Sequence, residues 1–396
     1  MKRIGIVLFL MPTLLEIIYP KQFIIEIPGL PYSVGQFTFI LTGIMGLKEV
    51  RINALGQVSK AFSLIYVGMF FASFINGNIQ EDLSKSLGTI IQFVAAVGWS
   101  KLLLKKRYLN WLDILMISMF IYWMFYVLGV SISGGSVVSY SQAFQDDRAV
   151  NHHVPGIAIS TSAFYLLFRF FCGENKFKPL GFVLLGVTIS TMLLLESRSN
   201  LLVCILLSLI SYSWFKKGRS LNLWKWVPVV LLGYFLINFM INRFEFIEER
   251  FALDSGYQQQ TTIGRREVYA RFLYEFAQNP LGRGPNDYKI DLSTVTINAH
   301  NTYLTLIIIG GILAFFGVIV FLIKSIKMGI KGKWFRKRMY DNHPKQIYSG
   351  YLASIVFFTT LFTIEQGNLL FYICLSIMLT TEYIYDKSTK FKLVSD

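Results

Sequence analysis

Residues 301–323 read NTYLTLIIIGGILAFFGVIVFLI, a run without a single charged side chain. About twenty apolar residues are what a helix needs to cross a bilayer, and this run has them. It is continuously apolar instead of alternating, which identifies a helix and not a strand of a membrane barrel. Asn301, Thr302 and Tyr303 lead it and Lys324 follows it, so polar groups stand at both boundaries.

Comparable stretches recur along the whole chain, separated by short polar or basic connectors. They predict further spans at 4–19, 28–47, 61–79, 86–104, 112–132, 154–172, 179–195, 199–215, 225–242, 348–364 and 368–385. The expected fold is an all-α polytopic membrane protein of about twelve transmembrane helices, one integral membrane domain over residues 1–396. Composition agrees: 54% of the 396 residues are hydrophobic and 15% are charged, too few for a surface dressed in water. Lys2 and Arg3 precede the first apolar run as in a signal peptide, but Tyr19, Pro20 and Lys21 offer no small-residue cleavage site, so that run is expected to stay as the first helix.

Lysine and arginine accumulate in cytoplasmic connectors of membrane proteins, which orients the bundle. Alternate connectors carry Lys48, Arg51 and Lys60, then Lys101, Lys105, Lys106 and Arg107, then Lys176 and Lys178, then Lys216, Lys217, Arg219 and Lys225. The basic stretch from Lys324 to Lys345 and the tail with Lys387, Lys390 and Lys392 continue the series, so both termini are expected in the cytoplasm. Opposite connectors hold Glu26, Glu81, Asp82, Asp146 and Asp147. The net charge of +15 is thereby accounted for at headgroup level, which leaves nucleic acid without a binding surface.

One connector breaks the pattern. Residues 242–300, between the ninth and tenth spans, form a long extracytoplasmic loop that carries Arg243, Arg250, Arg265, Arg266, Arg271, Arg283 and Lys289. Long loops translocate largely regardless of charge. Within it, Ile263 to Asn279 reads as an amphipathic helix with Val268, Phe272 and Phe276 in one row, stopped by Asn279-Pro280 and the turn cluster Gly282, Gly284, Pro285. Such a helix is expected to lie on the membrane surface and cap the bundle. Thr261 and Thr262 read as its cap, which would put Arg265 and Arg266 in its first turn, beside free backbone N–H groups that favour anions. The alternative for this arginine pair is a solvated basic helix end.

Two further places on the same face carry chemistry. Glu196-Ser197-Arg198-Ser199 is a polar break between two apolar runs, so Arg198 either snorkels or pairs with Glu196, or faces an anion. His300 stands between Asn298 and Asn301 at the start of the span quoted above, as a polar anchor or as a functional group opposite the arginine-rich loop. Asn298 and Asn301 are placed to orient its ring. Cys172, Cys204 and Cys374 fall inside apolar spans, and the spacing of His152, His153, His300 and His343 suits no metal, so neither thiol chemistry nor a metal is expected.

Together these elements resemble the O-antigen ligase and Wzy-type polysaccharide polymerase superfamily, which includes teichuronic acid polymerases. The resemblance rests on the Ser197-Arg198 turn, on Gly264-Arg265 opening a loop helix that ends in Asn279-Pro280-Leu281-Gly282-Arg283-Gly284, and on His300-Asn301 before a glycine-containing helix. It covers residues 179–325 at the level of motifs and the whole chain at the level of topology. Tyr269 stands four residues after Arg265, where the family more often has tryptophan.

What the resemblance implies is glycan transfer from an undecaprenyl-diphosphate carrier to an acceptor sugar hydroxyl at the outer leaflet of the plasma or inner membrane, without metal, nucleotide sugar or other cofactor. The departing lipid diphosphate needs fixed cations, which Arg198 and Arg265 would supply with help from Arg266 and Arg271. His300 would take the proton of the attacking hydroxyl, with Glu267 as the second candidate base. Arg148, Asn301 and Tyr269 complete the expected substrate site. Expected partners are the lipid-linked oligosaccharide, the acceptor glycan and membrane lipids, with a flippase and a chain-length regulator. Polymerisation of capsule, exopolysaccharide or O-antigen repeat units is the first reading; ligation of the glycan to lipid, wall polymer or protein is the alternative. A flippase fits less well, because no repeated halves or mid-membrane charges are present.

Overall fold

The computed structural model describes residues 2–18, 25–27, 32–50, 56–75, 79–132, 153–173, 176–177, 179–195, 200–205, 256–285, 290–292, 295–297, 301–330, 345–359 and 369–392. Its helices are α1 (Lys2–Phe9), α2 (Met11–Ile18), α3 (Val34–Leu47), α4 (Gln57–Ile75), α5 (Ile79–Leu102), α6 (Lys106–Ile132), α7 (His153–Leu166), α8 (Pro179–Leu194), α9 (Gly256–Gln278), α10 (Thr302–Ile330), α11 (Lys345–Thr359) and α12 (Leu369–Lys392). A π-helical turn, Leu167–Phe171, extends α7. Two short antiparallel pairs accompany them: β1 (Cys172–Gly173) with β2 (Lys176–Phe177), and β3 (Ile290–Leu292) with β4 (Val295–Ile297).

Among the described residues, four helices are long and apolar enough to cross a membrane: Gln57–Ile75, Lys106–Val130, Thr302–Gly329 and Leu369–Asp386. Val34–Leu47, Val154–Phe170 and Val183–Leu194 are apolar but shorter. The expected span at 225–242 lies outside the described residues. The expected span at 28–47 begins six residues late, at Val34. Pro28 and Pro31 disfavour helix in the residues before them. Ser33 then caps α3 in a reciprocal box with Gln36, its hydroxyl accepting from Gln36 N–H at 3.1 Å and its own N–H donating to the Gln36 side chain at 3.3 Å.

The described chain forms two compact units. The first comprises residues 1–112, 263–335 and 361–396. Its helices approach through small residues, which let backbones come close where hydrophobic burial gives helices no preference over lipid. Gly43 and Gly46 of α3 face Ala95 and Gly98 of α5, and Gly68 of α4 faces Gly310 of α10; a Cβ at Gly43, Gly46, Gly68 or Gly98 would collide with the opposite backbone. Trp99 fills the space beside the α3–α5 seam, stacked on Phe39 at 5.5 Å and donating its indole N–H to Phe39 O at 2.9 Å.

The two ends of this unit differ chemically. At one end Glu382 of α12 accepts from Val58 N–H with both carboxylate oxygens, 3.0 and 3.2 Å, satisfying a donor that the first turn of α4 leaves open. Lys324 of α10 lies 3.1 Å from Glu382 and 3.1 Å from Asp386, and the Lys101 ammonium sits 3.1 Å above the Tyr383 ring. Lys105 pairs with Glu49 at the same end. The opposite end gathers the α2 carboxylate Glu16 hydrogen-bonded to Ser33, the Ser73–Ser86 hydroxyl pair, Asp82, and the chain between α9 and α10.

The second unit comprises residues 113–262 and 336–360. Asp113 of α6 is its polar centre: it accepts from the Tyr165 hydroxyl at 2.6 Å, from Arg169 Nε at 3.2 Å and from Gln346 Nε2 at 2.5 Å. One half-buried carboxylate thereby ties three helices, each of its oxygens taken up by donors from α7 or α11.

Candidate functional site

The loop helix expected over 263–279 is present as α9, but it starts earlier, at Gly256. Gly264 costs about 1 kcal/mol inside a helix and does not stop it, and the polar residues from Tyr257 to Thr262 extend the helix backward. Arg265 and Arg266 therefore lie more than two turns in. The expectation that they meet the free N–H groups of a first turn is corrected.

The row Val268, Phe272 and Phe276 is borne out. Val268 and Phe272 are buried with Ile308 of α10, and Tyr269, Phe276 and Leu304 pack against them. Phe276 also meets Phe315, ring centroids 5.9 Å apart. Helical spacing then separates the two arginines. Arg265 precedes Val268 by three residues, Tyr269 by four and Phe272 by seven, the helical spacing of one row. Arg266 stands in the row of Ala270, Leu273 and Ala277, all exposed. Glu267 is exposed as well. Tyr269 is a half-buried part of the apolar cluster, which is what an aromatic at that position contributes here.

Asn301 caps α10. Its side-chain oxygen accepts from Tyr303 N–H at 3.0 Å and Leu304 N–H at 3.3 Å, so the oxygen expected to orient the His300 ring is engaged on its own helix. His300 is the residue before this cap; it, Arg198 and Arg148 lie outside the described residues. The apolar cluster nonetheless relates the two loop candidates by position: Arg265 is one helical turn before Val268, and His300 is four residues before Leu304.

Sequence reasoning passed over three features. Arg271 pairs with Glu275 at 2.9 Å and lies over the Tyr274 ring at 5.0 Å; Glu275 also holds Arg283 at 3.2 Å. Arg283 stood among the loop arginines without a role, and its spacing of eight from Glu275 across a turn gave no pairing signal. The β3–β4 hairpin pairs Ile290 with Ile297 and Leu292 with Val295. Its signal was the β-branched run Thr294 to Ile297. The third is a break in α10 at Gly311, where φ is 62° and ψ is −148°. Arg283 N–H donates to Ile308 O at 2.9 Å, Gly284 N–H to Ile309 O at 3.2 Å, and Ile312 N–H to Pro280 O at 2.8 Å, so the turn after α9 takes up the hydrogen bonds that the broken helix cannot make.

The described features are those of a predominantly helical membrane protein in which α9 and the start of the broken apolar helix α10 share one packed joint. Residues 180–319 match the family model for O-antigen ligase, Wzy_C. This supports the O-antigen ligase/Wzy superfamily that the motifs indicate, and the matched segment contains Arg198, Gly264-Arg265, the Asn279 to Gly284 turn and His300-Asn301. No curated protein and no solved structure matches the chain. The family supports a ligase- or polymerase-type glycosyltransferase activity on a lipid-linked glycan at a membrane.

Proposed function

We propose that the protein polymerises lipid-linked oligosaccharide repeat units, transferring the growing glycan from undecaprenyl diphosphate to an acceptor sugar hydroxyl at the outer leaflet of the cell membrane. The observation that carries this reading is the packing of α9 on α10 inside the family-matched segment; in sequence, Arg265 precedes Val268 of that cluster by three residues and His300 precedes Leu304 by four. The anomeric carbon–phosphate oxygen bond breaks as the acceptor oxygen attacks. Arg265 and Arg198 hold the diphosphate that leaves with the bonding electrons, and His300 takes the hydroxyl proton. Arginine suits this task because its charge persists at any relevant pH and its fork matches phosphate oxygens in pairs. Arg266 and Arg148 are assigned to outer contacts with the substrate.

Cells lacking the protein should accumulate a single repeat unit on the lipid carrier, and the purified protein supplied with that unit should form polymer. Ligation is the second reading, favoured by the description of the matching family as O-antigen ligase. Finished polymer stranded on the carrier in the deletion strain would assign ligation instead.

The same reading fixes sidedness. The end that holds Lys324, Lys101 and Lys105 is assigned to the cytoplasm by the excess of positive charge, and the α9–α10 joint to the outside. A cysteine introduced at Tyr257 should react with an impermeant reagent added outside, and one at Gly332 should not. Labelling of both from one side would overturn the topology.

A further inference from the structure

The turn Pro280–Gly284 is gripped on three sides within one unit. On the α10 side it supplies the three backbone hydrogen bonds described above, around Gly311. The fit leaves no room for side chains. A Cβ at Gly311 would stand 2.5 Å from Gly282 N and Pro280 O, and a Cβ at Gly282 would stand 2.5 Å from Ile309 O. Gly282 and Gly284 also have φ of 93° and 83°, a region that L side chains rarely adopt. On the α9 side, Arg283 reaches back to Glu275. On the third side is Asp82 of α5, 2% exposed, whose Oδ2 lies 2.8 Å from where a Gly284 Cβ would be.

Asp82 lies in the first turn of α5, and its buried carboxylate backs a turn that belongs to a different part of the chain. The break at Gly311 makes residues 302–310 a separate helical segment, and the inserted turn replaces its missing hydrogen bonds, so the turn sets the direction of that segment. The segment leads back to His300. The turn's other end continues directly from α9 and Arg265.

We propose that Asp82 is a positioning residue: by seating the Pro280–Gly284 turn in the Gly311 break, it fixes the α10 segment that follows His300 against the helix that carries Arg265. This rests on the assignment of those two residues to the reaction. Loss of the Asp82 carboxylate lets the turn shift and the 302–310 segment swing. An offset of about 1 Å between reacting groups is enough to lower a rate about a hundredfold.

The test combines a distance with a rate. Nitroxide labels on cysteines introduced at Ala270 of α9 and Ile307 of α10 report the geometry of the joint in the full-length protein whether or not it is active. Asp82→Ala should broaden that distance distribution and lower kcat for polymer formation about 10- to 100-fold, with KM for the lipid-linked donor changed by less than about twofold. Asp82→Asn, which keeps an oxygen against Gly284, should restore the narrow distribution and most of kcat. Gly284→Ala should reproduce the defect by pushing a methyl into the carboxylate, and should lose less in an Asp82→Ala background, where that collision is gone. Because a φ of 83° strains alanine at Gly284 whatever faces it, the contact is read from the smaller loss in the double variant and not from Gly284→Ala alone, and Asp82→Ser is the second variant if Asp82→Ala fails to accumulate. An unchanged distance distribution with an unchanged kcat in Asp82→Ala, or in Gly284→Ala, overturns the proposal. So does a broadened joint with an unchanged kcat. His300→Ala run in parallel separates the two failures: if it is inactive while Asp82→Ala is normal, only the positioning role falls, and if it is fully active, the assignment of the reacting residues falls.

Discussion

His300→Ala lowers polymer formation by about 10²- to 10⁴-fold at normal protein abundance, the range over which a positioned acid or base contributes. A sugar hydroxyl is a poor nucleophile and must lose its proton as the new bond forms. Imidazole accepts that proton only in its neutral form. With an ordinary histidine pKa of about 6.5, the wild-type rate therefore falls as pH drops through about 6 to 7, because protonation removes the acceptor lone pair. His152→Ala and His343→Ala should leave both rate and pH profile intact. A histidine that only orients the acceptor gives a different pattern: His300→Gln or His300→Asn keeps part of the activity, and the pH dependence persists unchanged in the variant. Unimpaired polymer from His300→Ala removes both roles. Asn301 is a poor substitute for His300 in either role, because its side-chain oxygen is spent on the N–H groups of Tyr303 and Leu304.

Arg265→Ala and Arg198→Ala each cost about 2 to 4 kcal/mol of transition-state stabilisation, the loss measured when one preorganised donor is removed from developing charge. Read as a rate, that is about 30- to 1000-fold. Arg265→Lys recovers little, since an ammonium cannot meet two phosphate oxygens in the plane of a fork. Arg266→Ala should cost clearly less than Arg265→Ala, because helical spacing puts Arg266 in register with Ala270, Leu273 and Ala277, which are exposed, and Arg265 in register with Val268 and Phe272, which are covered. Equal losses at the two positions would contradict the placement of α9 on α10 through Val268 and Phe272. Full activity in Arg265→Ala or Arg198→Ala takes that residue out of the site.

The parts of this architecture that follow from local periodicity could be read directly. The uncharged run of α10 declares itself, and the row Val268, Phe272, Phe276 foretold which face of α9 would be covered. What escaped is of two kinds. Boundaries depend on small energy differences: the start expected at Ile263, with Thr261 and Thr262 as its cap, lies instead at Gly256, because Gly264 inside a helix costs only about 1 kcal/mol. Long-range polar pairs leave no periodic trace. Glu382 capping α4 at Val58, or Gln346 reaching Asp113, joins residues hundreds of positions apart. The pair Gly310-Gly311 was visible as composition, but that the helix breaks there depends on the Pro280–Gly284 turn arriving with matching donors and acceptors. His300, Arg198 and Arg148 lie outside the described residues; the roles of His300 and Arg198 rest on motif, on the matched segment 180–319 and on the variants above, and that of Arg148 on the resemblance alone.

The break at Gly311 also divides the length of the span. Between Thr302 and the first lysine, Lys324, α10 has the 22 uncharged residues Thr302–Ile323. As an unbroken rod these would be about 33 Å long, close to the hydrocarbon slab, and the direction of the leading end would follow the tilt of the whole helix. Divided at Gly311, the part from the break to Ile323 accounts for about 20 Å and the nine residues before it for about 13 Å. The leading segment is thereby aimed by the turn seated in the break and not by the tilt of the span behind it, so under the proposed function the tilt can change with bilayer thickness while the approach to His300 stays set.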